Sequence, residues 1–315
     1  MSLIEQAAKR LEQLRQAGVE LPNEPVVAAQ ITQPILEPTL SAHNTKSSAL
    51  TEQLGDIKLP TPSPSSPQIS LDLDAIAASG LLVPNAVRSQ LADEFRVIKR
   101  PLIANAMGRG ATPIPNGNLI MVTSALPGEG KSFSAINLAI SIAMELDNTV
   151  MLVDADVARP SVLNMLGLPP SNGLLDVLQN NSLDISGVLL RTSIEKLSIL
   201  PSGTAHSRAT ELLASDAMIR LLDDMASRYS DRIIVFDSPP LLLTTESRVL
   251  ATHMGQVVIV VNAENTVQSA VKQAISTIDA CPVKMMILNQ IRTAKTEGYG
   301  YGYGYGYGYG RGHAK

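Results

Sequence analysis

The chain has 315 residues, 45% of them hydrophobic, enough for a sizeable core in one large α/β domain or two small ones. A net charge of -4 lacks the basic footprint that nucleic-acid binding asks for. The single cysteine, Cys281, excludes an internal disulfide, and residues 1–18 carry charges throughout with no apolar run of signal-peptide type. The longest apolar runs, such as 257–261, are strand-sized and well short of the roughly 20 residues that cross a bilayer, which predicts a cytoplasmic protein attached to a membrane only through a partner.

Leu3, Ala7, Leu11 and Leu14 recur at helical spacing among Glu, Gln, Lys and Arg, so residues 1–18 read as an amphipathic helix with Gly18 as its stop. Residues 19–80 read as a disordered linker rich in Pro, Ser, Thr and Gln, densest in PTPSPSSP at 60–67. Order is expected to resume near Leu81, and residues 91–104 form a helical pattern carrying Asp93, Glu94, Arg96, Lys99 and Arg100. From Leu119 onward, apolar runs at 119–123, 149–153, 197–200, 232–236, 256–261 and 284–288 alternate with helical segments. Continuous apolar strands of this kind predict an α/β fold, a mostly parallel sheet with helices on both faces, over residues 81–297. Residues 298–315 are low-complexity: six Tyr-Gly pairs, then RGHAK. Six of the seven tyrosines stand there, and the glycine content predicts a mobile tail.

The stretch ALPGEGKS, residues 125–132, follows the 119–123 strand and opens a helical pattern, the context a Walker A loop requires. Gly128 and Gly130 let backbone N–H groups turn inward around phosphate oxygens, and Glu129 on the loop and Phe133 on the helix complete the expected nucleotide-binding set. Lys131 neutralises β/γ charge and the Ser132 hydroxyl can hold Mg²⁺. Asp154 and Asp156 end the strand TVMLV, with Ala158 and Arg159 just behind; Asp237 ends a second strand, IIVFDSPP, in a Walker B pattern. Strand-end aspartates also serve as helix caps and turn formers, so the pattern alone leaves that role open. His43, His206, His253 and His313 are scattered without ligand spacing, and Met151, Met285 and Met286 read as core filler. The RATELL segment, 208–213, opens a helix whose simplest reading is a surface one.

Together, the Walker A loop, the MLVDAD motif, the DSPP ending and the tyrosine tail resemble the bacterial tyrosine kinases, P-loop enzymes unrelated to the eukaryotic protein-kinase fold, over residues 81–310. The opening MSLIEQAAKRL and the stretch ADEFRVIKRPL are similar to the branch encoded with exopolysaccharide and exosortase loci. The resemblance implies ATP and Mg²⁺, with Lys131 and Ser132 on the phosphates, Ser132, Asp154 and Asp237 on the metal, and Asp154 and Asp156 assisting the attacking phenol. Of these, Asp154 is the expected proton acceptor. The implied phosphoacceptors are Tyr299, Tyr301, Tyr303, Tyr305, Tyr307 and Tyr309. It further implies a membrane polysaccharide co-polymerase as partner, a tyrosine phosphatase as counter-enzyme, and a homo-oligomeric ring packed through Asp93, Arg96 and Lys99. Exposed charges at that spacing also suit a plain solvated face. The sequence departs from the family at Ala158, where an arginine is common. Two other functions compete. A partition-type ATPase would carry a lysine where Leu126 stands, and an ATP-gated scaffold of an export complex would use the tail only for docking.

Overall fold

The computed structural model describes residues 66–84, 89–110, 112–180, 182–228 and 232–292. The expected N-terminal helix, most of the Pro/Ser-rich segment and the tyrosine tail lie outside the described residues.

Among the described residues, eight strands form one sheet: β1 (Gln68–Ile69), β2 (Leu119–Ser124), β3 (Thr149–Asp154), β4 (Leu190–Thr192), β5 (Leu197–Leu200), β6 (Arg232–Asp237), β7 (Gln256–Asn262) and β8 (Val283–Asn289). Their order is β1-β4-β5-β3-β6-β2-β7-β8, and every neighbouring pair is parallel except β4 with β5. The helices are α1 (Leu73–Ala78), α2 (Gln90–Ala106), α3 (Lys131–Ala143), α4 (Val162–Met165), α5 (Leu174–Gln179), α6 (Ile185–Val188), α7 (Ala209–Leu213), α8 (Asp216–Arg228), α9 (Thr245–Thr252) and α10 (Gln268–Ser276). No helix among the described residues is long and apolar enough to cross a membrane.

Because side chains alternate along a strand, the central strands feed two cores. Leu119, Met121, Met151, Val153, Ile234, Phe236, Val257 and Ile259 bury against one helical layer. Ile120, Val122, Val150, Leu152, Ile233, Val235, Val258 and Val260 bury against the other, where α3 lies. Both faces are covered, so the continuous apolar runs are explained.

The six expected strands form as read, each extended by at most one residue at either end. Two short strands, β1 and β4, escaped the pattern because two and three residues show no periodicity. The ordered body also begins earlier than Leu81. Gln68 and Ile69 pair with Arg191 and Thr192, and Leu71 and Ile76 enter the core, although Pro67 sits at the end of a Pro-rich stretch. Met286 is a second correction. It is 62% exposed because β8 is the edge strand and presents alternate residues outward, whereas Met151 is buried as expected.

Candidate active site

β2 sits between β6 and β7, and the chain passes from β2 to β3 on one side and later to β7 on the other. A crevice at the C-terminal ends of parallel strands, where the order reverses, is the standard ligand position in such sheets. The loop leaving β2 and the ends of β3 and β6 meet there.

The loop is held from within. The Ser124 hydroxyl donates to Leu126 O at 2.7 Å, and Leu126 N–H donates to Glu129 Oε2 at 2.6 Å. The other oxygen of Glu129 accepts from Asn262 N–H at 3.4 Å and from the Thr266 hydroxyl, so the buried carboxylate ties the loop to the end of β7. The Glu129 side chain is thus committed to holding the loop. From the edge strand, Asn289 Nδ2 donates to Glu129 O at 2.9 Å and Gln290 Nε2 donates to Gly128 O at 3.1 Å. Gly130 has φ +95°, and a Cβ there would stand 2.1 Å from Asn289 Nδ2. Only glycine fits, on both counts.

Lys131 opens α3 and turns back into the crevice. Its Nζ lies 2.7 Å from Asp156 Oδ2, 3.4 Å from Asp237 Oδ1 and 3.1 Å from Ser132 Oγ, with the side chain 14% exposed. Burial pulls the ammonium pKa down, but Asp237 and Asp156 more than offset this and raise it. Phe133, next on the helix, packs partly into the core.

The two carboxylates at the exit of β3, Asp154 at its last position and Asp156 just beyond it, divide their work. Asp154 Oδ2 accepts from Ser161 N–H at 3.1 Å and Val162 N–H at 3.0 Å, anchoring the start of α4, while its buried Oδ1 has no hydrogen-bond partner. Asp156 turns the other way, to Lys131, and its Oδ1 accepts from Arg159 N–H at 3.2 Å. Burial, reinforced by the charge of Asp237, pushes Asp154 up to about 7. Burial raises Asp237 as well, against the opposing pull of Lys131 and Ser132. Asp237 Oδ2 is a second buried oxygen without a partner. Next to it the chain is rigidly strapped: Ser238 N–H donates to Val122 O, Leu241 N–H to Ser124 O, and the Thr123 hydroxyl to Pro239 O.

Among the described residues no three acidic, His or Cys side chains form a closed metal cage. Mg²⁺ does not need one, since it keeps waters and binds through one or two carboxylates together with substrate phosphates. The orphaned Oδ2 of Asp237, a carboxylate that also bonds the Ser132 hydroxyl, suits that mode of binding.

The structure therefore unites Gly128, Gly130, Lys131, Ser132 and Asp156 around one cleft of about 390 Å³, with Asp237 buried beneath Lys131 and Asp154 behind Ser161. The predicted subunit-contact triad is not united. Asp93 and Arg96 pair with each other on the surface of α2, whereas Lys99 is buried, with Nζ 2.5 Å from Ser141 O and 2.7 Å from Glu145 Oε1. Sequence reasoning missed the Asn289–Gln290 clamp, because no motif marks amides that lie on a distant edge strand.

The loop, the strand-end carboxylates and the sheet order define a P-loop nucleotide-binding protein, with a site built for phosphates and magnesium. Residues 117–291 match the AAA domain family. The tyrosine-protein kinase YwqD of Bacillus subtilis is 32% identical over 182 residues, covering 57% of this chain and 75% of that protein. The succinoglycan biosynthesis transport protein ExoP of Rhizobium meliloti is 35% identical over 157 residues, covering 49% of this chain but only 19% of that longer protein. Among solved structures, the VpsO kinase domain superposes with a TM-score of 0.54 at 26% identity, covering 64% of this chain and 96% of that domain. The chain belongs to the bacterial tyrosine kinase family.

Proposed function

We propose that this chain is an ATP-dependent protein-tyrosine autokinase whose acceptors are Tyr299, Tyr301, Tyr303, Tyr305, Tyr307 and Tyr309, and that it regulates exopolysaccharide synthesis or export. The observation that carries the reading is Lys131 held between Asp156 and Asp237 in a cleft, in a chain that also bears six Tyr-Gly pairs. The name of ExoP supports the polysaccharide context. A membrane co-polymerase as activating partner, a tyrosine phosphatase as counter-enzyme and an oligomeric assembly belong to the same proposal. So does the division of the chain into helix, linker, kinase domain and tail.

The loop N–H groups and Lys131 bind and orient the β- and γ-phosphates of ATP. Magnesium, held through Ser132 and Asp237, would neutralise phosphate charge. A tyrosine hydroxyl is mostly protonated at neutral pH, so a group that takes its proton during transfer accelerates attack. Asp154, poised at about 7 with Oδ1 unshared, fits that task, while Asp156 fixes the position of Lys131. Each phosphate added to the tail brings about -1.5 to -2 charge, so full modification adds roughly -9 to -12 and repels neighbouring tails.

The test is incubation of the purified chain with γ-labelled ATP, followed by mass spectrometry of the C-terminal peptide. Label on tyrosine, lost in Lys131→Met, is the expected result. Free phosphate without labelled tyrosine points instead to a partition-type ATPase, and neither product points to an ATP-gated scaffold.

A further inference from the structure

The cleft beside the phosphate loop has two kinds of wall. Lys131, Ser132 and Asp156 supply the charged part. The segments that follow the strand-end carboxylates supply an apolar part: Met165 from α4, and Pro240 and Leu243 from the turn after β6. Pro240 is buried, Met165 half-buried, and Leu243 stands 59% exposed at the mouth. A site that bound phosphates alone would have no use for these groups, whereas a concave cleft that joins an apolar wall to a few convergent polar groups suits a ligand with an apolar part as well as a charged one.

We propose that Met165, Pro240 and Leu243 form the seat for the aromatic ring of the acceptor tyrosine and so set the preference for tyrosine over serine or threonine. The proposal rests on the kinase reading and adds the residues that choose the acceptor. In-line transfer requires the incoming oxygen to approach γ-phosphorus opposite the leaving β-phosphate oxygen, next to a group that takes its proton. This cleft meets the second condition: Asp156 lines it, and so does Ser161, whose N–H is held by Asp154. In the step, the phenolic oxygen forms a bond to γ-phosphorus, the bond from γ-phosphorus to the β–γ bridging oxygen breaks, the phenolic proton passes to a carboxylate, and ADP leaves. A ring flat against Leu243 and Pro240 buries apolar surface that a serine side chain lacks. The glycines flanking each tail tyrosine bring no side chain that must also be fitted.

The experiment uses the full chain as enzyme, a Tyr-Gly repeat peptide and its serine counterpart as acceptors in trans, and calorimetric titration with MgADP. Leu243→Ala and Met165→Ala should each raise KM for the tyrosine peptide about tenfold, as loss of a few methylene contacts does, and leave the affinity for ADP within twofold. Leu243→Phe, which keeps an apolar surface, should retain a KM near wild type. A wild-type chain that labels tyrosine, with both alanine variants at wild-type KM, overturns the seat alone. Weaker ADP binding in those variants overturns it by assigning the wall to the nucleoside. A wild-type chain that labels no tyrosine overturns the kinase reading and the seat with it.

Discussion

Asp154 and Asp237 are register partners at the ends of adjacent parallel strands, and each keeps one buried carboxylate oxygen without a hydrogen-bond partner. The arrangement follows from the fold. β3 and β6 pair residue for residue from Thr149 with Arg232 to Asp154 with Asp237, so two acidic side chains arrive at the same level of the sheet edge. At Asp154 burial disfavours ionisation and the charge of Asp237, which outweighs that of Lys131, adds to it, whereas at Asp237 burial is the main cost and Lys131 opposes it.

The pair makes stability depend on pH in a stated direction. Asp154 titrates near 7 in the folded chain, against 3.8 as the reference value. Between about pH 4 and 7 the folded chain therefore binds more protons here than the unfolded chain, so this site's contribution to stability falls as pH rises through that window. The loss amounts to roughly 4 kcal/mol by pH 8, shared with Asp237. Urea unfolding of the nucleotide-free protein should show Asp154→Asn gaining most over wild type at pH 8 and less than half as much at pH 5, where most of the titration of the folded chain has yet to occur. Parallel curves for the two proteins would refute the coupling.

Lys131→Met should abolish tyrosine labelling by at least about a hundredfold, the order expected when a positioned charge on the transferring group is lost. It should also leave Asp156 and Asp237 buried without their counter-charge, which costs about 3–5 kcal/mol unless they take up protons. The melting temperature should accordingly fall at pH 8 and recover in part at pH 6. A variant equally stable at both values would mean that the carboxylates are better solvated than the structure indicates.

Gly130→Ala should damage the loop through two separable effects. The positive φ costs about 1 kcal/mol for a residue with a Cβ, and the Cβ would strike Asn289 Nδ2. Adding Asn289→Ala should relieve the collision but not the dihedral cost, so the double variant should recover part of the thermal stability lost by Gly130→Ala. No recovery would place the whole cost in the backbone. Nucleotide affinity, measured alongside, should stay reduced, because the Asn289 bond to Glu129 O is then missing.

What the sequence disclosed is what is local. The strand–loop–helix around Lys131 reads directly because an apolar run, glycines and a helical period lie side by side along the chain. The division of labour between Asp154 and Asp156 does not read. Two aspartates two residues apart look equivalent until the chain folds and one is drawn to the start of α4, the other to Lys131. The clamp from Asn289 and Gln290 joins residues some 160 positions apart and has no local signature. The α2 charges look alike in the sequence but not in the fold, because helical spacing shows which residues are near one another, not which of them faces α3.

Lys99 yields the last prediction. Its Nζ reaches Ser141 O and Glu145 Oε1 on the C-terminal end of α3 and the residues just after it, so this ammonium fastens α2 to the helix that begins at the phosphate loop. A cation near a helix C-terminus also answers the partial negative charge of its free carbonyls. Lys99→Met keeps most of the apolar stem but leaves Ser141 O without this donor, while the half-exposed Glu145 turns to water. The expected result is a loss of about 1–3 kcal/mol in unfolding free energy, with the molar mass by light scattering unchanged from wild type. Exchanging Asp93 and Arg96 to Ala should do the reverse, leaving stability within about 0.5 kcal/mol, since an exposed pair contributes little, while lowering the mass of any assembly that uses this face of α2. If Lys99→Met instead dissociates an assembly at unaltered stability, the buried geometry of this lysine does not hold in the oligomer and the three charges act together at a subunit contact.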